Sequence, residues 1–271
     1  MEILPGVEVV GETPVVYLRS LKAIVFADLH LGFEEEAARQ GYFLPRVQLK
    51  NILKTLETVF SEKSNIELVI ILGDVKHTFE RLTRLEREEV SRLFEYLTKR
   101  VARVIVVKGN HDSYLVVVAR NYGVEIVKWQ LEIDGIIFTH GHRKLELGDK
   151  KPKLILMGHE HPSIAVRDRI GYVMKAPCFL LAKHEPSGAE LLVLPAMGVY
   201  QTGTTVSTIP EAYLSPILRK EVDLRRAKPY VIAEGLGILE FPELGEIEEL
   251  LAPEQPGLLA LGALAERANL G

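Results

Sequence analysis

Five times before residue 162, a short apolar run halts on a glycine, aspartate or histidine. KAIVFA (22–27) leads into Asp28-Leu29-His30, and ELVIIL (67–72) into Gly73-Asp74-Val75-Lys76-His77. RVIVVK (103–108) leads into Gly109-Asn110-His111-Asp112, IIFT (136–139) into His140-Gly141-His142, and LILM (154–157) into Gly158-His159-Glu160-His161. Apolar runs of this length, bounded this way, read as buried strands. Seven of the eight histidines lie in these five stretches and only His184 falls outside, which a scatter of surface histidines does not explain. In an extended segment residues i and i+2 point the same way, so Asp28/His30 and His159/His161 are each expected to aim two donors at one point. The carboxyl ends of parallel strands form the crevice in which open α/β sheets place their sites. Glycines 73, 109, 141 and 158 let the chain turn sharply as it leaves each run. Carboxylate, imidazole and amide oxygen together suit divalent Mn, Fe, Ni, Co or Zn. With one carboxylate shared, the set suffices for two ions, an arrangement adapted to phosphate ester hydrolysis.

The stretches between the runs fix the fold class. Apolar residues near helical spacing over 46–60, with Pro45 at the start, and over 82–99 predict amphipathic helices. A short helix is expected over 113–121, capped by Ser113 and closed by Gly123. Strand and helix thus alternate three times, which argues for parallel βαβ units in an α/β domain. After Gly123 the chain is strand-rich. Short strands are expected at 124–127, 130–133, 136–139, 154–157, 164–166, 171–175, 179–182 and 190–194, with Asp134-Gly135 as a tight hairpin. Residues 1–241 read as one domain. Residues 242–271 read as a C-terminal tail with helices over 246–251 and 258–268.

Composition narrows the function classes. With 47% hydrophobic residues the chain can bury a sizeable core. A net charge of −4 argues against a broad surface that wraps DNA, though not against a local basic groove. The single Cys178 excludes an intrachain disulfide and a metal site built on several cysteines, and reads as a small buried apolar residue. The N-terminal MEILPGVEVVGETP has neither a basic nor an apolar segment, and no apolar run approaches the ~18–20 residues of a membrane span. A soluble cytoplasmic protein without membrane partners is expected.

The series DLH, GDVKH, GNHD, THGH and GHEH resembles that of the calcineurin-like metallophosphoesterase superfamily, and within it the archaeal branch related to DNA-repair exonucleases. The resemblance spans Asp28 to His161 and is specific for the superfamily rather than for a substrate. It implies a four-layer α/β/β/α sandwich and two divalent metal ions, Mn foremost, with Fe, Ni, Co, Zn or Mg as alternatives. By motif, Asp28, His30, Asp74 and His161 would hold one metal; Asp74, Asn110, His140 and His159 would hold the other, with Asp74 as the bridge. His111 matches the residue that protonates the leaving oxygen, and Asp112 would orient His111 or a loop amide. His77 stands where many relatives carry an acid, and would hold a ligand through its other ring nitrogen or touch substrate. His142 would be an outer brace or a phosphate contact.

The implied activity is phosphodiester hydrolysis by attack of a hydroxide held between the metals, without a covalent phospho-enzyme. The alternative is a nuclease acting on DNA or RNA. The chain lacks the added capping domain and long coiled coil of the repair-complex nucleases, which favours small substrates or short single strands. The basic stretches 143–153 and 219–228 would track a polyphosphate backbone, unless they are solvated charged faces. A third reading is a metal-bound partner protein that has lost catalysis; missing ligands would mark it, and none is missing. Besides the phosphoester, self-association into a homo-oligomer is compatible with the sequence. Trp129 and Tyr122 are read as packing residues, His184 as a loop residue, and 195–205 as a loop at the mouth of the site.

Overall fold

A computed structural model of the chain describes residues 1–167, 173–251 and 259–260. Its first sheet has seven strands in sequence order: β1 (Glu2–Leu4), β2 (Val7–Val9), β3 (Val16–Leu18), β4 (Ala23–Phe26), β5 (Leu68–Ile71), β6 (Arg103–Val107) and β7 (Glu125–Val127). Strands β4 to β7 run parallel, with helices between them: α1 (Phe33–Arg39) and α2 (Gln48–Glu62), then α3 (Arg84–Thr98), then α4 (Leu115–Ala119). The second sheet holds β8 (Gln130–Ile133), β9 (Ile136–Thr139), β10 (Leu154–Met157), β11 (Pro162–Arg167), β12 (Val173–His184), β13 (Ala189–Val193) and β14 (Thr204–Thr205). The short α5 (Pro216–Lys220) follows, then β15 (Lys228–Ala233) and β16 (Gly237–Glu240), then α6 (Leu244–Leu251) and β17 (Leu259–Ala260).

Strands buried on both faces explain why the runs are apolar throughout. In β4, Ile24 and Phe26 face the helices α2 and α3, while Ala23, Val25 and Ala27 face the second sheet. Val69/Ile71 and Leu68/Ile70/Leu72 divide in the same way along β5. Across the seam they meet Phe138, Leu156, Phe179, Leu192 and Leu194 of the second sheet. The outer face of that sheet, with Ile155, Met157 and Val193, is covered by Ile217 and Leu218 of α5 and by Leu244 and Ile247 of α6. Three apolar layers therefore separate four layers of structure, the expected α/β/β/α sandwich. Each fully buried Leu or Ile contributes about 1.5–3 kcal/mol, so the double-faced strands hold the sandwich together.

The registers set the site. Phe26 pairs with Ile71 and Ile71 with Val106, so β4, β5 and β6 end at one level. Met157 pairs with both Thr139 and Val193, so the second sheet ends at a matching level. The Asp134-Gly135 hairpin is present, both residues having positive φ as a type I′ turn requires.

Other expectations are corrected. The N-terminal meander β1–β3 and the β15–β16 pair were not foreseen; three-residue strands broken by turns at Gly6 and Gly11 carry too little alternation to read. The helix after the third motif begins at Leu115, behind Tyr114 in the left-handed region, and Ser113 does not cap it. His184 ends β12 rather than lying in a loop: it is buried, with Nε2 3.0 Å from Glu221 and Nδ1 accepting from the Ser187 hydroxyl at 2.7 Å. In the tail, the 246–251 helix is present, and Leu259–Ala260 pairs as a strand with β11 where a helix was expected. The rest of that expected 258–268 helix, and part of the 171–175 strand, lie outside the described residues.

Two buried glutamates stitch the helices to the loops. Glu34 of α1 accepts the amides of Val47 and Gln48 and so caps α2, which has no cap of its own. Glu89 of α3 accepts the Gly32 amide at 2.8 Å, and burial raises its pKa to about 7. A carboxyl that keeps its proton longer in the folded state loses stability as pH rises from its ordinary value of 4.5 through about 7. Replacing Glu89 by Gln keeps an acceptor for Gly32 and removes the titration. Urea unfolding of Glu89→Gln should match the parent protein at pH 4.5 and exceed it at pH 8, with equal midpoints at pH 8 counting against the assignment.

Candidate metal centre

The carboxyl ends of both sheets bring the five motif loops to one crevice. His140 and Asp28 are wholly buried, Asp74 and His30 nearly so, and His159, His161, Asn110 and His111 are partly open. Asp74 lies at the centre, its Oδ2 3.3 Å from His140 Nε2, 3.9 Å from His30 Nε2 and 3.8 Å from His111 Nε2. Asn110 Oδ1 is 3.0 Å from His140 Nε2. On the other side, His161 Nε2 is 3.3 Å from Asp28 Oδ1 and 3.4 Å from His30 Nε2. Three donor groups result, Asp28/His30/His161, Asp74/His140/His159 and His30/His77/His111. All seven residues singled out as metal ligands are therefore brought together, with Asp74 between the groups.

The way they converge differs from the expected alternation along an extended strand. Asp28, His30, Asp74, His159 and His161 all have φ between +47° and +70°. Each sits in the left-handed region, which costs a non-glycine residue about 1–2 kcal/mol. The chain curls at these five residues, though not at Asn110 or His140, and neighbouring loops hold the curl. Asp28 Oδ2 accepts the His159 amide at 2.8 Å, Asp74 Oδ1 accepts the His111 amide at 2.9 Å, and the Asp74 carbonyl accepts the amides of Leu29 and His30. Gly109 is required for space: a Cβ there would run into the Asp74 carboxylate and amide.

The electrostatics fit cations. Asp28 Oδ1 is buried and has no hydrogen-bond partner, an arrangement that is costly for a carboxylate without a positive charge beside it. Burial works to raise the Asp74 carboxyl, but His140, His30 and His111 outweigh burial and hold it below the usual carboxylate range. Burial likewise opposes a proton on His140, yet Asp74 and Asp28 prevail and raise its pKa to about 9. His161 is raised in the same manner by Asp28. Burial pushes His30 well down and brings His159 to about 3, so both rings are neutral lone-pair donors. The His140 Nδ1–H donates to the Leu72 carbonyl at 2.7 Å, which turns Nε2 to the crevice. Rings whose protons the buried carboxylates favour thus stand where divalent ions would displace those protons. The donor set of carboxylate, imidazole and amide oxygen suits such ions.

The remaining histidines take outer places. His111 Nδ1 is held by the His77 carbonyl, not by Asp112. Asp112 instead accepts the Val75 and Gly109 amides, each at 2.8 Å, and ties the second and third loops together. His77 Nδ1 lies 3.3 Å from His30 Nδ1, on the outer nitrogen of that ring. His142 lies beside His140 and His159, with its Nδ1 buried and without a partner.

Three braces were missed in the sequence. Gln48 donates to the Leu29 carbonyl at 2.7 Å and accepts the Val199 amide at 3.0 Å, joining the first loop to the mouth loop. Glu160, inside the fifth motif, accepts the Leu214 and Ser215 amides and ties that motif to the start of α5. Glu86 completes a capping box with Thr83 and also accepts the His77 and Thr78 amides. Only Glu86 had a readable signal, the Thr-x-x-Glu spacing. Of the basic residues in 219–228, Arg225 pairs with Glu248 and Glu249, and Lys228 with Glu240. Tyr122 packs near Phe94, and Cys178 is buried, as expected.

A buried His/Asp cluster at the joined carboxyl edges of an α/β/β/α sandwich defines a class of metal-dependent hydrolase. The sequence model of the calcineurin-like phosphoesterase family matches residues 21–191, and the chain belongs to that family. A nuclease of Pseudomonas putida, MPE, shares the fold, with a TM-score of 0.57 and 20% identity over 85% of this chain and 92% of its own. YfcE, a phosphoesterase from E. coli, aligns at 19% identity over 82% of this chain and 98% of its own, with a TM-score of 0.39. No curated protein matches the sequence. Among the described residues no helix is long and apolar enough to cross a membrane.

Gly109→Ala isolates the packing at the centre. The added methyl should cost about 1–3 kcal/mol of stability, as overpacking does, and should weaken divalent metal uptake. Urea unfolding and a metal titration on the same preparation check both.

Proposed function

We propose that this protein is a dinuclear metal-dependent phosphodiesterase. The observation that carries the reading is the convergence of Asp28, His30, Asp74, Asn110, His140, His159 and His161 about one central carboxylate. Asp28, His30, Asp74 and His161 would hold one ion. Asp74, Asn110, His140 and His159 would hold the other. Mn is the first choice, since the donors are mixed oxygen and imidazole. When bound, such ions supply Lewis-acid charge for the phosphoryl oxygens and favour deprotonation of water near neutral pH.

The chain's own groups do the rest. His140 is locked by the Leu72 carbonyl with Nε2 inward, so its ligating atom needs no reorganisation. His111 is held at Nδ1 by the His77 carbonyl, which leaves Nε2 facing the crevice 3.8 Å from Asp74. A water oxygen attacks phosphorus in line and gives up its proton to solvent, the bond to the leaving oxygen breaks, and that oxygen takes the Nε2 proton of His111 in its imidazolium form, whose Nδ1–H stays on the His77 carbonyl. No side chain becomes phosphorylated.

A second reading, a nuclease, is favoured by the cations beside the centre. Arg143 lies 3.8 Å over the Trp129 ring and Lys128 lies 4.7 Å from its centroid. The fold likeness to the P. putida nuclease is compatible with it. The closer kinship to an archaeal, repair-related branch rests on the motif series alone.

Elemental analysis of Mn-loaded protein should give about two ions per chain, and Asp74→Asn should lose both. His111→Ala should keep its metal and lose ~10²–10⁴-fold in kcat on bis(p-nitrophenyl) phosphate, the usual worth of a general acid. Full activity in His111→Ala would remove the acid role. Metal retained in Asp74→Asn would remove the shared carboxylate.

A further inference from the structure

The two ends of the donor set open onto unlike surroundings. At the His30 end stands Phe79, about half exposed, with its ring centroid 3.7 Å from that of His111. One face of Phe79 is spent on His111, and the ring lines a cavity of about 650 Å³ with His77, Glu36, Glu80 and Arg81. Arg81 is already paired with Glu36 at 3.3 Å, so the fixed charge of this cavity is one negative. A phosphate is unwelcome there, while a flat uncharged ring can stack on Phe79.

At the His140 end the chemistry reverses. Val107 pairs with Val127, so Lys108 and Lys128 leave neighbouring parallel strands side by side. Lys128 and Arg143 both lie over Trp129, whose ring is 6.4 Å from His142. Lys108, Lys128 and Arg143 form no ion pair among the described residues. Two unneutralised cations on an aromatic ring, with Lys108 on the neighbouring strand end, form a platform for phosphate oxygens, with Arg forking onto them.

We infer that the centre is directional. The Phe79 cavity takes an uncharged nucleoside as the leaving group, next to the acid His111, and the Trp129 platform takes the phosphate-bearing remainder of an oligonucleotide. This assignment rests on the phosphodiesterase reading above and deepens it: the substrate class is the end of a nucleic acid strand.

Two isomeric dinucleotides test it, pTpT and TpTp, which have the same composition and differ only in which end carries the extra phosphate. With Mn-loaded enzyme at low salt, each isomer should yield thymidine plus the bisphosphate pTp in at least tenfold excess over the alternative split into two mononucleotides (pT from pTpT, Tp from TpTp). Arg143→Ala should collapse that preference, and Phe79→Ala should raise KM for both about tenfold, with recovery in Phe79→Tyr, as loss and return of one stacking contact would. Lys150→Ala, a cation paired with Glu132 on another face, serves as the control that keeps the preference. Equal yields of the two product sets, or a preference that survives Arg143→Ala, would overturn the assignment. A readout without turnover comes from Trp129, the sole tryptophan. Inorganic pyrophosphate added to metal-free protein should change its fluorescence, and Arg143→Ala should abolish the change; no change in the parent protein removes the platform. If bis(p-nitrophenyl) phosphate is cleaved but the two product sets form equally, the direction alone fails. If no phosphodiester is cleaved with any divalent ion, the underlying reading fails with it.

Discussion

Two carboxylates buried among imidazoles at the seam of two sheets are the constraint on which the rest depends. Asp28 and Asp74 are withdrawn from water, and withdrawal is tolerable only with positive charge close by. The carboxylates favour a proton on His140 beside them and draw the His161 pKa upward, a role that divalent ions would take over. The surrounding structure serves to hold those charges in reach. Five ligands sit in left-handed backbone, a local strain that persists only because neighbouring amides over-determine each loop. The strain is offset by the double-faced apolar strands behind it, whose burial is shared by three core layers. Stability is thus concentrated in the strands, and the energetic cost is concentrated at their tips.

Much of this was readable in the sequence because the strands are apolar on both faces and stop at polar residues. KAIVFA and ELVIIL announce burial between helices and a second sheet, and Asp28, Asp74, Asn110 and the motif histidines announce themselves by where the runs end. The backbone geometry was not readable. Nothing in D-L-H states that the aspartate and the histidine curl into positive φ, and the alternation of an extended strand was the natural assumption. Long-range braces were equally silent. Gln48 and Glu160 work through amides more than fifty residues away or in other layers, and Glu34 caps a helix not its own. The N-terminal meander was missed because its strands are too short to show a period.

The division between the chemistry of the centre and the chemistry around it follows the topology. Ligands come from the strand ends, where register leaves little freedom. Phe79 and Trp129 come from the segments just beyond, where a side chain is free to change without disturbing the seam. Loops carried on a rigid scaffold are where selectivity resides. The opposite charge of the two flanks is therefore a property of connections rather than of the sandwich, and the buried cluster is the same whatever lies against it.

The hydrogen bond from His140 to the Leu72 carbonyl joins the second sheet to the first at the very place where both end. A slip of either sheet by one residue would turn the side chains of a strand to the opposite face, and the cluster would have no common point. The centre is in this sense a gauge: it closes only when two independently hydrogen-bonded layers have been laid down at one offset. Assembly of the seam and closure of the seven-residue cluster are one event, so a state with both sheets formed but not yet docked would hold half a cluster on each and neither half would close.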